Sequence, residues 1–243
     1  MIIINADDWG RSRSDTDAAR ACFAKGRITS VSAMVFMQDS ERAAMLAKEA
    51  GLAVGLHLNL DEPFTSGSVP QRLVEQQQSI ARFLNRIRFA LLLYNPLLVN
   101  KLKFVYETQV AEFTRLYGRP PTHLDGHHHL HLCSNMLMSS VIPPGFKVRR
   151  SFSFWPGEKS WVNRVYRSAV YRWLRQRYVV TDYFFSLGQC LENKRMERVA
   201  ELAKRANVEL MTHPAVTPEY GYLQSDECVE WLKNVWKGSY AEL

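Results

Sequence analysis

Short apolar runs alternate with longer amphipathic stretches along the chain, and this alternation restricts the fold more than any other feature. The runs are mostly rich in β-branched or aromatic residues and bounded by Gly, Pro or Asp, which is typical of buried strands. They are Ile2–Asn5, Val31–Phe36, Ala53–Leu60, Thr122–Asp125, Phe146–Arg149, Thr181–Phe185 and Val208–Thr212. The intervening stretches have helical periodicity and cover Ser14–Lys25, Ser40–Glu49, Val74–Leu93, Pro96–Tyr117, Lys159–Tyr178, Asn193–Arg205 and Ser225–Trp236. Strand followed by helix, about seven times, predicts a parallel α/β sheet, either a (β/α) barrel or an open doubly wound sheet.

The chain has no visible linker or internal repeat, so we expect one domain over residues 1–243. Its content of 47% hydrophobic and 23% charged residues excludes disorder and collagen-like repeats. The four cysteines are scattered and the first residues lack the pattern of a signal peptide, so we expect reduced thiols and a cytoplasmic location. The apolar stretch Phe89–Val99 is interrupted by Asn95-Pro96 and is too short to cross a bilayer.

Polar side chains collect at the predicted carboxyl ends of the strands, where the chemistry of parallel α/β folds is found. Asp7 and Asp8 follow the first strand, and Arg149 and Arg150 end the fifth. All seven histidines lie in three such segments: His57, His123, His127, His128, His129, His131 and His213. Histidines scattered over a surface would not collect there, so we expect a functional site at this edge of the sheet.

The residue types at this edge suit a catalytic divalent cation. One carboxylate and two imidazoles leave positions open for water and substrate, and Zn²⁺, Fe²⁺, Co²⁺, Mn²⁺ and Ni²⁺ accept such a set. The candidates are Asp7 or Asp8, His57, and a histidine of the 127–131 run. Alone, His57 could be a core histidine and the two acids a helix cap. Five histidines within nine residues are better explained by metal binding.

Strand-like alternation in the histidine run would point His127, His129 and His131 one way and His128 the other. Spacing alone does not select the ligand among them.

Two adjacent acids could divide the work of a hydrolase. One would bind the metal, and the other would act as general base toward the attacking water. A third group must protonate a leaving amine. His213 ends the last predicted strand, which lies beside the first if the sheet closes, so His213 is a candidate acid.

Four motifs in sequence order are similar to those of the YdjC-like carbohydrate deacetylase family. The first is Asn5-Ala-Asp-Asp-Trp-Gly10, although the family usually has Phe where this chain has Trp9. The others are Gly55-Leu-His-Leu-Asn-Leu60, Thr122-His-Leu-Asp-Gly-His-His-His-Leu-His131 and Met211-Thr-His-Pro214. The resemblance covers the chain from residue 2 to about residue 215.

The resemblance implies a distorted (β/α) barrel of about seven parallel strands, with a metal site at their carboxyl ends. It implies a hydrolase that removes the N-acetyl group from an amino sugar or glycan. One divalent cation, Zn²⁺ or Mg²⁺, would be held by Asp8, His57 and His127, with Asp7 as catalytic base. By analogy with related metal-dependent polysaccharide deacetylases, His213 would be the acid.

Those relatives also use an arginine to orient the base, and no motif match selects between Arg149 and Arg150 here. The candidates for substrate contact are Asn59, Asp125, His129, His131, Arg149 and Arg150. The loop at residues 61–75 departs from the family pattern, so the identity of the sugar does not carry over.

Two basic, apolar stretches are compatible with partners other than a sugar. Arg82–Lys103 and Trp161–Tyr178 could lie against an anionic membrane, as in a deacetylase of a lipid-linked or membrane-associated glycan at the inner face of the membrane. Alternatively, both could pack on the barrel or on a second subunit in a homodimer. The net charge of +7 suits an anionic partner. A nucleic-acid-binding module would leave the acids and histidines unexplained, so we expect no nucleic acid.

Overall fold

Parallel strands form one curled sheet in the computed structural model, which describes residues 1–86, 89–155 and 157–243. The strands in this described part are β1 (Ile2–Trp9), β2 (Ser30–Ala33), β3 (Ala53–Leu58), β4 (Leu124–Gly126), β5 (Tyr183–Ser186), β6 (Val208–Thr212) and β7 (Lys237–Gly238). Their order is β4-β3-β2-β1-β6-β5, with β7 paired to the start of β1. A barrel opened between β4 and β5 has this order. The predicted α/β barrel-like class is therefore confirmed, and the doubly wound alternative is wrong.

Irregular backbone at residues 146–153 lies between the two open edges. Val148 bridges to Leu124 of β4, and Lys147 bridges to Val179. Further along, the Ser153 N–H donates to the Phe184 carbonyl of β5 over 2.9 Å. The prediction of a strand at Phe146–Arg149 is wrong, because this segment makes isolated bridges to its two neighbours and no continuous ladder.

Helices cover the outside of the sheet in the described residues. Those of eight or more residues are α1 (Arg13–Ala24), α2 (Ser40–Ala50), α3 (Gln71–Leu84), α4 (Val99–Tyr117), α6 (Trp161–Arg177), α8 (Met196–Ala203), α9 (Thr217–Gln224) and α10 (Asp226–Lys233). Two shorter ones are α5 (Ser134–Met138) and α7 (Leu187–Glu192), and 3₁₀ turns occur at Ala90–Leu92, Pro96–Leu98, His127–Leu132 and Tyr240–Glu242.

Local signals fix several helix ends. The Ser12 side chain accepts from the Asp15 N–H at the start of α1, and α4 ends at Gly118, whose φ of 69° is left-handed. The predicted helix Val74–Leu93 is too long, since α3 ends at Leu84. Ile87 and Arg88, which fall within that prediction, lie outside the described residues. The sequence patterns did not reveal α5, α7 and α9.

Alternation along the strands separates an apolar outer layer from a polar interior. On β1, Ile2, Ile4 and Ala6 belong to the large core between the sheet and the helices. The intervening side chains point inward, where Asn5 bonds to Ser30 and Ser32 of β2. Met1, Ile3 and Tyr240 form a separate small apolar cluster at the amino end of β1. The interior is therefore polar toward the carboxyl ends of the strands.

The two basic, apolar stretches expose much of their apolar surface. Leu91, Leu92, Leu93, Tyr94, Leu97, Trp161, Val162, Val165 and Tyr166 are all exposed. The expectation that these faces pack on the barrel is therefore wrong for these side chains. Among the described residues, no helix is both long enough and apolar enough to cross a bilayer. All four cysteines are buried and unpaired.

Candidate active site

A bulge at the end of β1 lets two consecutive acids face the site. Neighbouring side chains of a regular strand point to opposite faces. Here the pairing register with β2 shifts between Ala6 and Trp9, and Asp8 has a left-handed φ of 64°. Asp tolerates this conformation better than most residues, at a cost that is typical of functional sites. Asp7 and Asp8 are both buried, so each carboxylate depends on its neighbours for compensation.

Asp8, His57 and His127 bring three ligand atoms together. Asp8 Oδ1 lies 3.4 Å from His57 Nε2 and 3.2 Å from His127 Nδ1. The two nitrogens are 3.3 Å apart. Ligands that are about 2.0–2.2 Å from one ion and about 90–109° apart are separated by about 2.8–3.6 Å. The three edges of this triangle therefore fit three ligands on one side of a divalent cation.

The electrostatics at this triangle favour a positive charge. Asp8 Oδ1 is buried and has no hydrogen bond. Burial would raise the pKa of Asp8, but the adjacent His127 and His57 hold it well below its usual range. Burial would lower the pKa of His57, but the charges of Asp125 and Asp7 raise it to about 10. A divalent cation would satisfy the orphaned oxygen and take the place of a proton on the imidazole.

Asp125 holds the ring of His57 from behind. Its Oδ1 lies 2.7 Å from His57 Nδ1, and its Oδ2 accepts from Ser32 Oγ over 2.6 Å. Such a carboxylate fixes the tautomer and aims the other ring nitrogen at a metal. Asp7, His57 and Asp125 also offer ligand atoms within 4.8 Å of one another. However, the Asp7 and Asp125 oxygens are already paired with Arg149, so the triangle of Asp8, His57 and His127 is the better candidate for metal binding.

Arg149 clamps Asp7 from inside the sheet. Its Nη1 and Nη2 donate to the two oxygens of Asp7, each over 2.7 Å, in a bidentate pair. Asn5 Nδ2 donates to Asp7 Oδ1 over 2.9 Å. Burial would raise the pKa of Asp7, but the charges of Arg149 and His57 and the hydrogen bonds from Arg149 together lower it. Asp7 is therefore held ionised and fixed in orientation.

The other side of Arg149 is bound by a carboxylate from β6. Arg149 Nε donates to Glu209 Oε1 over 2.7 Å, and the hydroxyl of Tyr240 donates to Glu209 Oε2. Burial raises the pKa of Glu209 to about 7. The arginine is thus fixed from both ends and has no freedom to reach the cleft.

The histidine run forms a 3₁₀ turn over His127–Leu132. The interpretation as an alternating strand is wrong, because His128 and His129 have left-handed φ values of 53° and 58°. The Nδ1 of His128 lies 2.9 Å from Asp61 Oδ2 near the surface. His131 is buried, and its Nε2 lies 3.1 Å from the Arg149 carbonyl. Burial lowers the pKa of His131 to about 4.

His213 follows β6, the strand that pairs with β1. Ala6 pairs with Thr212 in the β1–β6 register, so the next residues, Asp7 and His213, leave the sheet side by side. The backbone N–H of His213 donates to Glu219 Oε2 over 2.8 Å, and this oxygen also accepts from Thr212 Oγ1. In the described part of the chain, no side chain hydrogen bonds to the half-buried ring of His213.

A cleft of about 380 Å³ opens beside the histidine run. Two of the six residues predicted to contact substrate, His129 and Arg150, line this cleft. Burial lowers the pKa of His129 to about 3. The guanidinium of Arg150 lies 3.8 Å from the ring centre of Tyr171.

The other four predicted substrate contacts lie inside the protein. Asn59, Asp125, His131 and Arg149 are almost fully buried. Asn59 shapes the loop after β3, since its Oδ1 accepts from the Glu62 N–H over 2.9 Å and its Nδ2 donates to the Glu62 carbonyl over 2.7 Å. Each of these four side chains bonds to other protein groups.

Several residues of the site were not predicted from the sequence. Glu62 Oε2 lies 2.7 Å from His127 Nε2, and Glu62 Oε1 accepts from Arg11 Nε over 2.9 Å. Glu209, Ser32 and Tyr240 complete the buried polar interior. The alternation of Val208-Glu-Leu in β6 carries a signal for Glu209, since a charged residue between buried apolar ones needs a partner inside the sheet.

The family model described as YdjC-like protein matches residues 1–234. A chitooligosaccharide deacetylase of Serratia marcescens is 33% identical over 133 residues, which cover 54% of this chain and 51% of that relative. A carbohydrate deacetylase of Mus musculus is 27% identical over 241 residues, which cover 88% of this chain and 77% of that relative. The matched region thus spans about half the length of the Serratia protein.

A solved structure from Enterococcus faecalis V583, described as a candidate cellobiose-phosphate cleavage protein, has the same fold. It superposes with a TM-score of 0.65 and covers 99% of this chain and 97% of its own, at 18% sequence identity.

Proposed function

This chain belongs to the YdjC-like protein family, and we propose that it is a metal-dependent hydrolase that removes the N-acetyl group from an amino sugar or glycan. Curated relatives named as chitooligosaccharide or carbohydrate deacetylases support the reaction class. The observation that carries the proposal is the pairing of two arrangements at one strand end. One is the triangle of Asp8, His57 and His127, and the other is the ionised Asp7 held by Arg149.

The protein groups divide the reaction among them. A divalent cation held by Asp8, His57 and His127 would lower the pKa of a water molecule and polarise the acetyl carbonyl. Asp7 takes the proton from the attacking water as its oxygen bonds to the acetyl carbon. Arg149 orients Asp7 and keeps it deprotonated before the attack.

Departure of the amine needs a proton from a second group, because Asp7 acts on the attacking water. His213 is proposed to donate it to the sugar nitrogen as the C–N bond breaks, giving acetate and the free amino sugar. Glu219 anchors the backbone at His213 and leaves the ring free to turn toward the leaving group. The proposal therefore assigns base and acid to neighbouring strand ends, β1 and β6.

Acetate release tests this function directly. The protein is stripped with a chelator, reloaded separately with Zn²⁺, Mg²⁺, Co²⁺ or Mn²⁺, and incubated with N-acetylated sugars of increasing length. We expect acetate from at least one sugar, with at least one metal, and none from the stripped protein. The Asp7→Asn variant serves as the matched control for contaminating activity. Metal-loaded protein that releases no acetate from any of these sugars would contradict the proposal.

The apolar walls of the cleft support a narrower proposal for the substrate, which is a lipid-linked or membrane-associated glycan. Leu91 and Leu92 line one side of the cleft, and Tyr166 and Val170 line another. An apolar wall next to the proposed metal site suits a substrate with a hydrocarbon part. A higher kcat/KM for an N-acetyl glycoside with a long alkyl aglycone than for its methyl glycoside is the expected result.

A further inference from the structure

Two exposed apolar segments extend from the lining of the cleft, which includes Leu91, Leu92 and Tyr166. We call them together the apolar rim and define it as Leu91, Leu92, Leu93, Tyr94, Leu97, Trp161, Val162, Val165 and Tyr166. Its two most exposed members are Leu97 at 79% and Trp161 at 73%. Exposed apolar patches on this scale mark interaction surfaces rather than ordinary protein surface.

The rim has two parts that meet at the cleft. One part comprises the 3₁₀ turns Ala90–Leu92 and Pro96–Leu98 with the residues between them. The other is the outer face of α6, where Trp161, Val162, Val165 and Tyr166 share one side of the helix. Leu91, Leu92 and Tyr166 line the same cleft as His128 and His129. Whatever covers the rim therefore also faces the entrance to the candidate active site.

The positive charge of the chain is concentrated in the same two segments. Residues 76–106 and 159–181 contain eleven of the 31 Lys and Arg residues and none of the 24 Asp and Glu residues. The rest of the chain has 20 bases against 24 acids, so it is net negative. Arg82, Arg86 and Lys103 flank the turns, and Arg164 and Arg172 lie exposed on α6. The exposed apolar side chains thus lie in segments that contain cations and no acids, in a chain whose other residues are slightly acidic.

We propose that the apolar rim docks onto the surface of an anionic lipid bilayer, so that the cleft opens toward the membrane. Trp, Tyr and Leu side chains at the tip of a protein enter the boundary between headgroups and acyl chains, and surrounding Lys and Arg bind anionic headgroups. Docking here is peripheral, since the rim comprises short turns and one face of a helix. It does not depend on the metal or on the hydrolase reaction.

Two other occupants fit the observations less well. A nucleic acid would use the cations but would leave the exposed Leu and Val side chains without a role. In a dimer with a twofold axis, the same surface of each copy forms the interface. The cations of one rim would then face the cations of the other, which is unfavourable. An anionic bilayer matches both the apolar and the cationic parts of the surface.

Vesicle binding tests the proposal without reference to catalysis. The protein is sedimented with phosphatidylcholine vesicles that either contain or lack phosphatidylglycerol. We expect binding to the anionic vesicles, weaker binding as salt is raised, and little binding to pure phosphatidylcholine. The Asp7→Asn variant should bind as the parent does, so a failure of the proposed hydrolase function would not affect this result.

Matched variants test the surface itself. Trp161→Ser and Leu97→Ser should each weaken vesicle binding on the order of tenfold. Trp236→Ser should leave binding unchanged, because Trp236 has the same 73% exposure but lies next to β7, at the amino end of the sheet. The double variant R164Q/R172Q should weaken binding roughly tenfold or more, while R20Q/K48Q, with the same loss of charge on α1 and α2, should not.

Quenching by lipids with brominated acyl chains locates the inserted side chain. Fluorescence of the parent and of Trp236→Ser should be quenched, and quenching should be largely lost in Trp161→Ser. Any of three results would overturn the proposal. The first is that the protein does not bind anionic vesicles. The second is that the rim variants bind vesicles as well as the parent does. The third is that sedimentation equilibrium shows a dimer that dissociates when Leu97 or Trp161 is replaced. Circular dichroism and Tm of each variant establish that the fold is intact.

Discussion

The two flanks of the candidate site are built in opposite ways. On the flank of β1, β3 and β4, Asp7, His57 and Asp125 are buried and bonded to other side chains. Asp7 is clamped by Arg149, and Asp125 binds both His57 and Ser32. On the flank of β6, His213 is half-buried and only its backbone is fixed, through Glu219. The closed flank holds an ionised carboxylate and a group of ligand atoms that could bind a cation, whereas on the open flank the imidazole of His213 has no side-chain partner among the described residues.

The largest expected effect is loss of the metal on the closed flank. His57→Ala removes one corner of the triangle, and two remaining ligands hold a divalent cation weakly. We expect the purified variant to contain almost no metal by elemental analysis and to release no detectable acetate. His127→Ala should do the same. Either variant with full stoichiometric metal would show that the ligand set is wrong.

A smaller effect is expected for Asp7→Asn, which changes charge but hardly changes shape. The fold and the metal content should be retained, and acetate release should fall by about 10²–10⁴-fold, the usual scale for a general base. If Asp7→Asn loses the metal while Asp8→Asn retains it, the two acids have exchanged roles. Metal content and kcat, measured on the same preparations, distinguish these results.

On the open flank, the effect of His213→Ala should depend on the leaving group. For an N-acetyl sugar we expect a loss of about 10²-fold with the metal retained, because the amine must be protonated as it leaves. An activated aryl acetate ester needs little protonation and should lose much less. Equal losses on both substrates would mean that His213 does not act as the acid.

The smallest effects should come from the carboxylates behind each flank. Asp125→Asn leaves His57 with a weaker acceptor, and metal affinity should fall about 10–100-fold. Glu219→Gln is the matched change on the open flank. This variant should bind the metal with unchanged affinity, while its kcat falls modestly. Titration of the apoprotein with metal measures both. A similar loss of affinity in the two variants would remove the distinction between the flanks.

Most features along the strands could be predicted from the residues alone. Alternating apolar runs predicted the parallel sheet, and the polar residues after each run located the site, because the carboxyl ends of parallel strands share one edge. The register of β1 with β6 brings Asp7 and His213 to neighbouring strand ends, where the sequence predicted them. Such features depend on local patterns that a single chain displays directly.

The contacts between the polar groups of the site could not be predicted, because they join residues that are far apart in the sequence. Arg149 meets Asp7 across 142 residues of sequence, and Glu209 meets Arg149 across 60. Nothing in the residues around Arg149 distinguishes it from Arg150, which points to the cleft instead. The bulge at Asp8 and the left-handed residues at His128 and His129 likewise depend on packing that local propensity does not encode. A buried ionised group is stable only among partners that compensate its charge, and those partners come together only when the sheet curls.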